Sequence, residues 1–215
     1  ENFDLNLSST KPPLLEAGIG FVRLHDKNTY YYSLTNLKTT GTIFVNGEEI
    51  VVAGKSWMDH QWADTKYSKD RWTWFSLQLD NGFEMVCFEY GSEKRKDYLA
   101  NWIEVGGAQG HTSEIALTPL DNGWKSPKTK NVYNTSWRIE VPSKQIVLAV
   151  SPEISNQEMI FGAVNYWEGP LKVRGTIAGR KVRGQGFLEL VGEPLEYGAL
   201  RMMSKMVGNI RNKIL

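Results

Sequence analysis

Cysteine is almost missing: Cys87 is the single one in 215 residues. One thiol cannot close an internal disulfide or build a multi-cysteine zinc site, so stability has to come from packing. Histidine is scarce too. His25, His60 and His111 stand far apart without ligand-like spacing, so no metal site is expected and no cofactor is implied. No excess of one charge exists either. With 25 Lys and Arg against 24 Asp and Glu, the net charge is +1, which excludes a global field able to gather nucleic acid. The longest purely aliphatic run, Ile146 to Val150, is far below the roughly 20 residues needed to span a bilayer. A soluble chain is expected, cytoplasmic or peripheral to a membrane. Glu1 is not an initiator Met and no signal-type apolar segment follows it, which reads as a mature, trimmed or excised chain. Gly-x-Ser-x-Gly, Gly-x4-Gly-Lys-Ser/Thr, His-Glu-x-x-His and EF-hand loops are all absent, so the common hydrolase and nucleotide chemistries lose support.

What is present favours strands. Hydrophobic residues make up 41% of the chain, including eight Trp, nine Tyr and eight Phe, and 20 Gly with 8 Pro punctuate it at short intervals. Asn46-Gly47, Asn81-Gly82 and Asn122-Gly123, with Ala178-Gly179 as a weaker fourth, supply pairs that tolerate the positive φ of two-residue hairpin loops. Short branched and aromatic segments lie around them, about a dozen in all, from Tyr30–Leu34 and Gly41–Val45 to Lys181–Leu190. The expected class is all-β, an antiparallel barrel or sandwich over residues 1–195. Residues 196–215 read as a short amphipathic helix, because Leu200, Met203, Val207, Ile210 and Ile214 recur at three- and four-residue steps. Its polar side carries Arg201, Lys205, Arg211 and Lys213, so it would either close one barrel end or rest on a membrane surface or acidic partner.

The hairpin at Asn81-Gly82 carries the chemical interest. A two-residue turn there would pair Gln78 with Met85, Ser76 with Cys87 and Trp74 with Glu89, and would put Trp72, Trp74, Met85, Cys87 and Glu89 on one face. Both faces are apolar, which suggests a pocket on one side and packed protein on the other. Among Trp74, Met85 and Cys87, Glu89 would be desolvated and partly protonated near neutrality, a candidate proton donor; the alternative is a strand-end carboxylate in water. A second cluster runs Trp57-Met58-Asp59-His60-Gln61-Trp62. If it is extended, His60 and Trp62 share one face and Trp57, Asp59 and Gln61 the other. His60 either exchanges protons near pH 7 or pins a strand end, Asp59 is a further candidate acid, and Trp62 offers a face to a developing cation. Tyr166 and Trp167 lead a third aromatic and acidic cluster with Glu168. The candidate catalytic residues are thus Glu89, His60 and Asp59. The candidate substrate-binding residues are Trp62, Trp72, Trp74, Met85, Cys87, Tyr166 and Trp167.

Several segments in order resemble one family: Phe3-Asp4-Leu5, Thr10-Lys11-Pro12-Pro13-Leu14-Leu15, Tyr30-Tyr31-Tyr32-Ser33, Gly41-Thr42, Trp57 to Trp62, Trp72 to Gly82, Tyr166-Trp167-Glu168-Gly169 and Gly184 to Leu190. Together they are similar to the AttH-like and carotenoid 1,2-hydratase-like proteins, over Phe3 to about Gly192. The resemblance implies a lipocalin-like β-barrel matching the C-terminal half of a longer, two-barrel protein, with an N-terminal lipocalin-like half as partner. It implies a long apolar small-molecule substrate of isoprenoid or polyketide type. His60 and Trp62 match a His-x-Trp pair of the hydratases, and Cys87 and Glu89 fall near a Tyr-x-Asp pair, with Cys for Tyr and Glu for Asp. The function expected is a cofactor-free enzyme that hydrates or cyclises a hydrophobic substrate by acid–base chemistry. The alternatives are a pericyclic cyclase of the Diels–Alder type, a carrier that returns its ligand unchanged, and a chain that completes a pocket belonging to the absent half.

Overall fold

A computed structural model describes residues 2–24, 27–63, 70–92, 94–161 and 164–191. The first sheet is built from β1 (Asn2–Ser9), β2 (Leu14–Leu15), β3 (Phe21–Leu24), β4 (Lys27–Val45) and β5 (Glu48–Trp62). β4 runs through its middle, with β1, β2 and β3 laid along one edge and β5 along the other, all antiparallel. Asn46 and Gly47, at φ 52° and 85°, form the two-residue loop between β4 and β5, with Val45 opposite Glu48. The segments expected as Tyr30–Leu34 and Gly41–Val45 are therefore one strand of 19 residues. Its burial alternates: Tyr31, Ser33, Thr35, Leu37 and Thr39 point inward.

The second sheet starts with β6 (Arg71–Leu79), β7 (Glu84–Ser92), β8 (Arg95–Ile103), β9 (Gln109–Thr112) and β10 (Ala116–Pro119). A small separate ladder, β11 (Trp124–Lys125) with β12 (Val132–Tyr133), interrupts it. It resumes with β13 (Trp137–Val141), β14 (Ile146–Pro152), β15 (Glu158–Phe161), β16 (Val164–Ile177) and β17 (Arg180–Val191). The strand order is β10-β13-β14-β16-β17-β6-β7-β8-β9, with β15 added on β16, and every pairing is antiparallel. Its concave face wraps a filled core in which Phe75, Leu77, Met85, Cys87, Ile139, Leu148, Trp167, Leu171 and Leu188 have essentially no exposure. The Trp167 indole N–H donates to the Ser155 carbonyl at 2.7 Å, which satisfies its one polar atom inside that core.

Three expectations need correction. The sheet is an open half-barrel with lipocalin-like character, because among the described residues its end strands β9 and β10 are not paired with each other. The described residues contain no α-helix, only two 3-10 turns at Glu16–Gly18 and Pro142–Lys144. The amphipathic helix expected over 196–215 lies outside the described residues, and no described element carries the membrane-surface contact assigned to it. No helix among the described residues is long and apolar enough to cross a membrane. Third, the β6–β7 turn is one residue longer than a type I′ loop. Gly82 N–H donates to the Leu79 carbonyl at 3.0 Å and Leu79 N–H to the Phe83 carbonyl at 2.9 Å, with Gly82 at φ 73°. Asp80, drawn aside, donates its N–H to the Arg183 carbonyl and accepts from Arg183 N–H.

That extra residue shifts the whole pairing. Trp74 stands opposite Phe88, Trp72 opposite Tyr90, Phe75 opposite Cys87 and Thr73 opposite Glu89. A one-residue shift exchanges the faces of a strand. Met85, Cys87 and Glu89 thus join Phe75 and Leu77 on the concave side, and Glu84, Val86, Phe88 and Tyr90 join Trp72, Trp74 and Gln78 on the convex side. The first sheet covers this convex side. Leu14 and Val22 pack on Val86, Phe88, Leu99 and Ile103. Polar ties hold the two layers: Gln78 Nε2 donates to the Thr35 carbonyl at 2.7 Å, Lys11 Nζ pairs with buried Glu84, and Asn36 Nδ2 donates to Glu84 at 2.8 Å. Asn101 grips the Glu16–Gly18 turn twice, through the Glu16 carboxyl and the Ala17 N–H.

Candidate functional site

Where the layers part, a cavity of about 580 Å³ opens between the two sheets. β3 contributes Val22 and Leu24, β4 contributes Lys27 and Tyr31, β5 Asp59, Gln61 and Trp62, β6 Trp72 and Trp74, β7 Phe88 and Tyr90, and β16 and β17 Glu168 and Glu189. Aromatic rings form much of the wall and seven polar side chains, four of them charged, interrupt it, a composition that can hold an apolar ligand in one orientation. Trp62 stacks on Tyr30 with ring centroids 5.3 Å apart.

Two acids dominate its chemistry. Burial raises the Glu189 carboxyl to about 7; a hydrogen bond from Trp72 pulls the other way, while the charges of Glu168 and Asp59 push it further up. Glu168 stands directly opposite Glu189 across the β16–β17 ladder. Burial also raises Asp59, against three hydrogen bonds that favour its ionised form, from Ser33, Trp57 and Tyr31. Two of these have measured lengths at Oδ1: Ser33 Oγ at 2.5 Å and Trp57 Nε1 at 2.9 Å. Part of Asp59 is open to solvent at the cavity mouth, while its carboxylate is crowded by these donors. Tyr31 is fixed in turn by the Trp74 indole, which donates to its hydroxyl at 2.9 Å. Burial and then Asp59 hold the Tyr31 phenol well above its ordinary range, so it stays a proton donor. At the other end Lys27 Nζ pairs with Asp70 at 2.7 Å and donates to the Tyr90 hydroxyl at 2.7 Å.

The residues singled out from sequence divide into three groups. Asp59, Trp62, Trp72 and Trp74 line the cavity together. His60 does not. It projects from the opposite face of β5, stacked on Tyr32 at 5.3 Å and edge-on to Trp62 at 5.0 Å. Met85, Cys87 and Trp167 are sealed in the half-barrel core, where burial pushes the Cys87 thiol up. Glu89 lies on the concave face and accepts two 3.0 Å hydrogen bonds from Lys96 and one of 3.3 Å from Thr73. Tyr166 stands beside Glu168 and Glu189, its phenol raised by burial and by those two charges, without lining the cavity. The residues that sequence reasoning passed over are Glu189, Glu168 and Tyr31. A signal existed: the loop at Ala178-Gly179 has two residues, with φ 46° and 75°, and equal steps outward from it bring Glu168 opposite Glu189.

A family model described as AttH-like matches residues 1–193. The chain belongs to the AttH-like family. Among curated relatives of this AttH-like chain, kievitone hydratase of Fusarium solani subsp. phaseoli is 24% identical over 88% of the chain and 56% of its own length. Dehydratase asqC of Emericella nidulans is 26% identical over 88% of the chain and 58% of its own length. The crystal structure of kievitone hydratase from Nectria haematococca shares the fold, with a TM-score of 0.80 at 20% identity, over 91% of this chain and 62% of that one. The AttH-like chain therefore spans a little over half the length of the curated relatives it matches.

Proposed function

We propose that this AttH-like chain supplies the pocket and the acid–base groups of a hydratase or dehydratase acting on a hydrophobic, natural-product-like molecule. One observation carries the reading: a carboxyl held near 7, Glu189, enters an aromatic cavity together with Asp59. An acid that is half protonated at neutral pH can both give and take a proton, which an exposed carboxyl of ordinary pKa cannot. The relatives named for hydration and for dehydration support the same chemistry in its two directions.

In the hydration direction the Glu189 carboxyl gives its proton to one alkene carbon, and the π pair becomes the new C–H bond. The cation left on the neighbouring carbon lies against the faces of Trp72 and Trp74, between the carboxylates of Glu168 and Asp59. Water attacks that carbon as Asp59 takes one of its protons, and Asp59 then passes that proton back to Glu189 through water, which restores both groups. Dehydration is the reverse, with the leaving hydroxyl protonated and the adjacent C–H proton removed. Tyr31, Ser33 and Trp57 keep Asp59 aimed and its charge solvated when the cavity is filled.

The test is turnover of a panel of uncharged prenylated and polyketide alkenes and their hydrates, followed by mass spectrometry in ¹⁸O-labelled water. Glu189→Gln is expected to lower the rate by about 10²- to 10⁴-fold, the usual contribution of a general acid. Glu89→Gln is expected to leave it unchanged. Equal activity of Glu189→Gln and wild type overturns the assignment.

A further inference from the structure

We infer that the cavity between the sheets selects its ligand by charge, taking uncharged hydrophobic molecules, gripping a cationic group beside Glu168, Glu189 and Asp59 more tightly, and rejecting carboxylates and phosphates. The inference deepens the reading of this cavity as the substrate site and rests on it. Its lining carries three carboxyl groups from three different strands, β5, β16 and β17. Against them stands one cation among the described lining residues, Lys27. Its charge is already met by Asp70 at 2.7 Å, and its remaining contacts are the Tyr90 hydroxyl and ring. Among the described lining residues no positive charge is left over to receive an anion, and an anionic ligand would press against these acidic groups in a partly dry site. The same field favours a developing carbocation, and Trp72 and Trp74 on the second-sheet wall add the negative faces of their rings to it. Substrates activated by a phosphate or ending in a free acid are thereby excluded from this site. The class that fits is the neutral alkene, alcohol or phenol ether of about the size of the cavity.

The charge preference depends on pH. The groups facing Glu189 are Glu168 and Tyr166 on β16, Asp59 on β5, Tyr31 and Lys27 on β4 and Tyr90 on β7, with Trp72 as a neutral donor on β6. Of these, Glu189 is the one whose carboxyl is held near 7. Its ionisation adds one negative charge to the cavity as the pH rises through that value.

Three naphthalene probes, alike except for an aminoalkyl, hydroxyalkyl or carboxyalkyl arm of equal length, test this by calorimetric titration of the full chain. The expected order of affinity is amine, then alcohol, then acid, with steps of roughly tenfold at about pH 8.5. The amine, which stays protonated to about pH 10, should gain roughly tenfold in affinity between about pH 5.5 and 8.5. The alcohol should hold steady. Glu189→Gln, which keeps shape and loses charge, should remove that gain. Binding of the acid as tight as the alcohol, a pH-flat amine, or no binding by any probe overturns the inference. The expected order without turnover of any neutral alkene removes the hydratase reading and leaves the charge selectivity in place.

Discussion

Replacing Glu189 by Gln should leave a pH signature in stability that needs no substrate to be seen. In the folded chain burial keeps this carboxyl protonated up to about 7, whereas the unfolded chain releases the proton near the ordinary 4.5. The folded state thus holds more protons between the two values, and the stability this provides is complete below about 4.5 and is lost as the pH climbs through 7. At about 1.4 kcal/mol per pH unit the loss reaches at most about 3 kcal/mol, and residual access to water at the cavity makes about 1–3 kcal/mol the expected range. Glutamine has the same shape and nothing to ionise, so the variant escapes that loss. Equilibrium unfolding in urea, read by tryptophan fluorescence at about pH 5 and about pH 8.5, measures it. Glu189→Gln should match or trail wild type at the acidic value and exceed it at the alkaline one. With a denaturant slope of about 2 kcal/mol/M, the gap between midpoints should open by about 0.5–1.5 M. The remaining ionisable groups are present in both proteins, so the comparison isolates the carboxyl at position 189. Parallel pH curves, or a gap that opens toward acid, would refute the placement of a desolvated carboxyl in this cavity.

Other perturbations probe the frame around it. Lys11→Met should cost about 3–5 kcal/mol in chemical denaturation, because it strands the buried Glu84 carboxylate between the sheets. Met85→Ala should cost about 2–5 kcal/mol by opening a cavity in the half-barrel core, with little change in probe affinity, since the side chain points away from the site. Gly82→Ala should destabilise by about 1–2 kcal/mol in thermal unfolding, because φ is 73° there and the new methyl would run into the Val105 side chain.

Much of the architecture was legible because turn chemistry and alternation act locally. Asn46-Gly47 and Ala178-Gly179 each close two-residue loops between antiparallel strands, as their residue types predict. The alternation that puts Asp59 and Gln61 on one face of β5 and His60 on the other holds, which is why Asp59 reaches the cavity and His60 does not; Trp62, on the His60 side, borders the cavity from the end of the strand. The length of β4 is hidden by its polar stretch around Asn36 to Thr40, where the inward Thr39 hydroxyl donates to Ser56 Oγ at 2.7 Å. Asn81-Gly82 misled for a tertiary reason. Asp80 is pulled toward Arg183 of β17, so the loop takes a third residue, a contact that no local reading of residues 72–90 contains. Glu189 was passed over because a Glu between two leucines reads as the solvent face of a strand. That face becomes interior only when the first sheet lies over it.

The site's composition is therefore a consequence of register more than of any one residue. Glu168, Glu189, Trp74, Phe88 and Leu99 form one continuous rung across β16, β17, β6, β7 and β8. Trp72 and Tyr90 pair in a parallel rung two residues along, and together the two rungs furnish most of the cavity's second-sheet wall. Sheet side chains alternate with a period of two, so a two-residue loop at Asn81-Gly82 would have delivered Cys87 and Glu89 to this wall in place of Phe88 and Tyr90. It would have set Glu89 and its Lys96 partner against Glu189, giving an ion pair where the structure has an unneutralised acid. An acid whose pKa is raised by burial cannot coexist with a lysine at hydrogen-bond distance, which would hold it ionised. The turn at Leu79–Phe83, remote in sequence from both β16 and β17, is thus what keeps the Glu89–Lys96 pair away from Glu189 and leaves that acid able to hold a proton near neutrality.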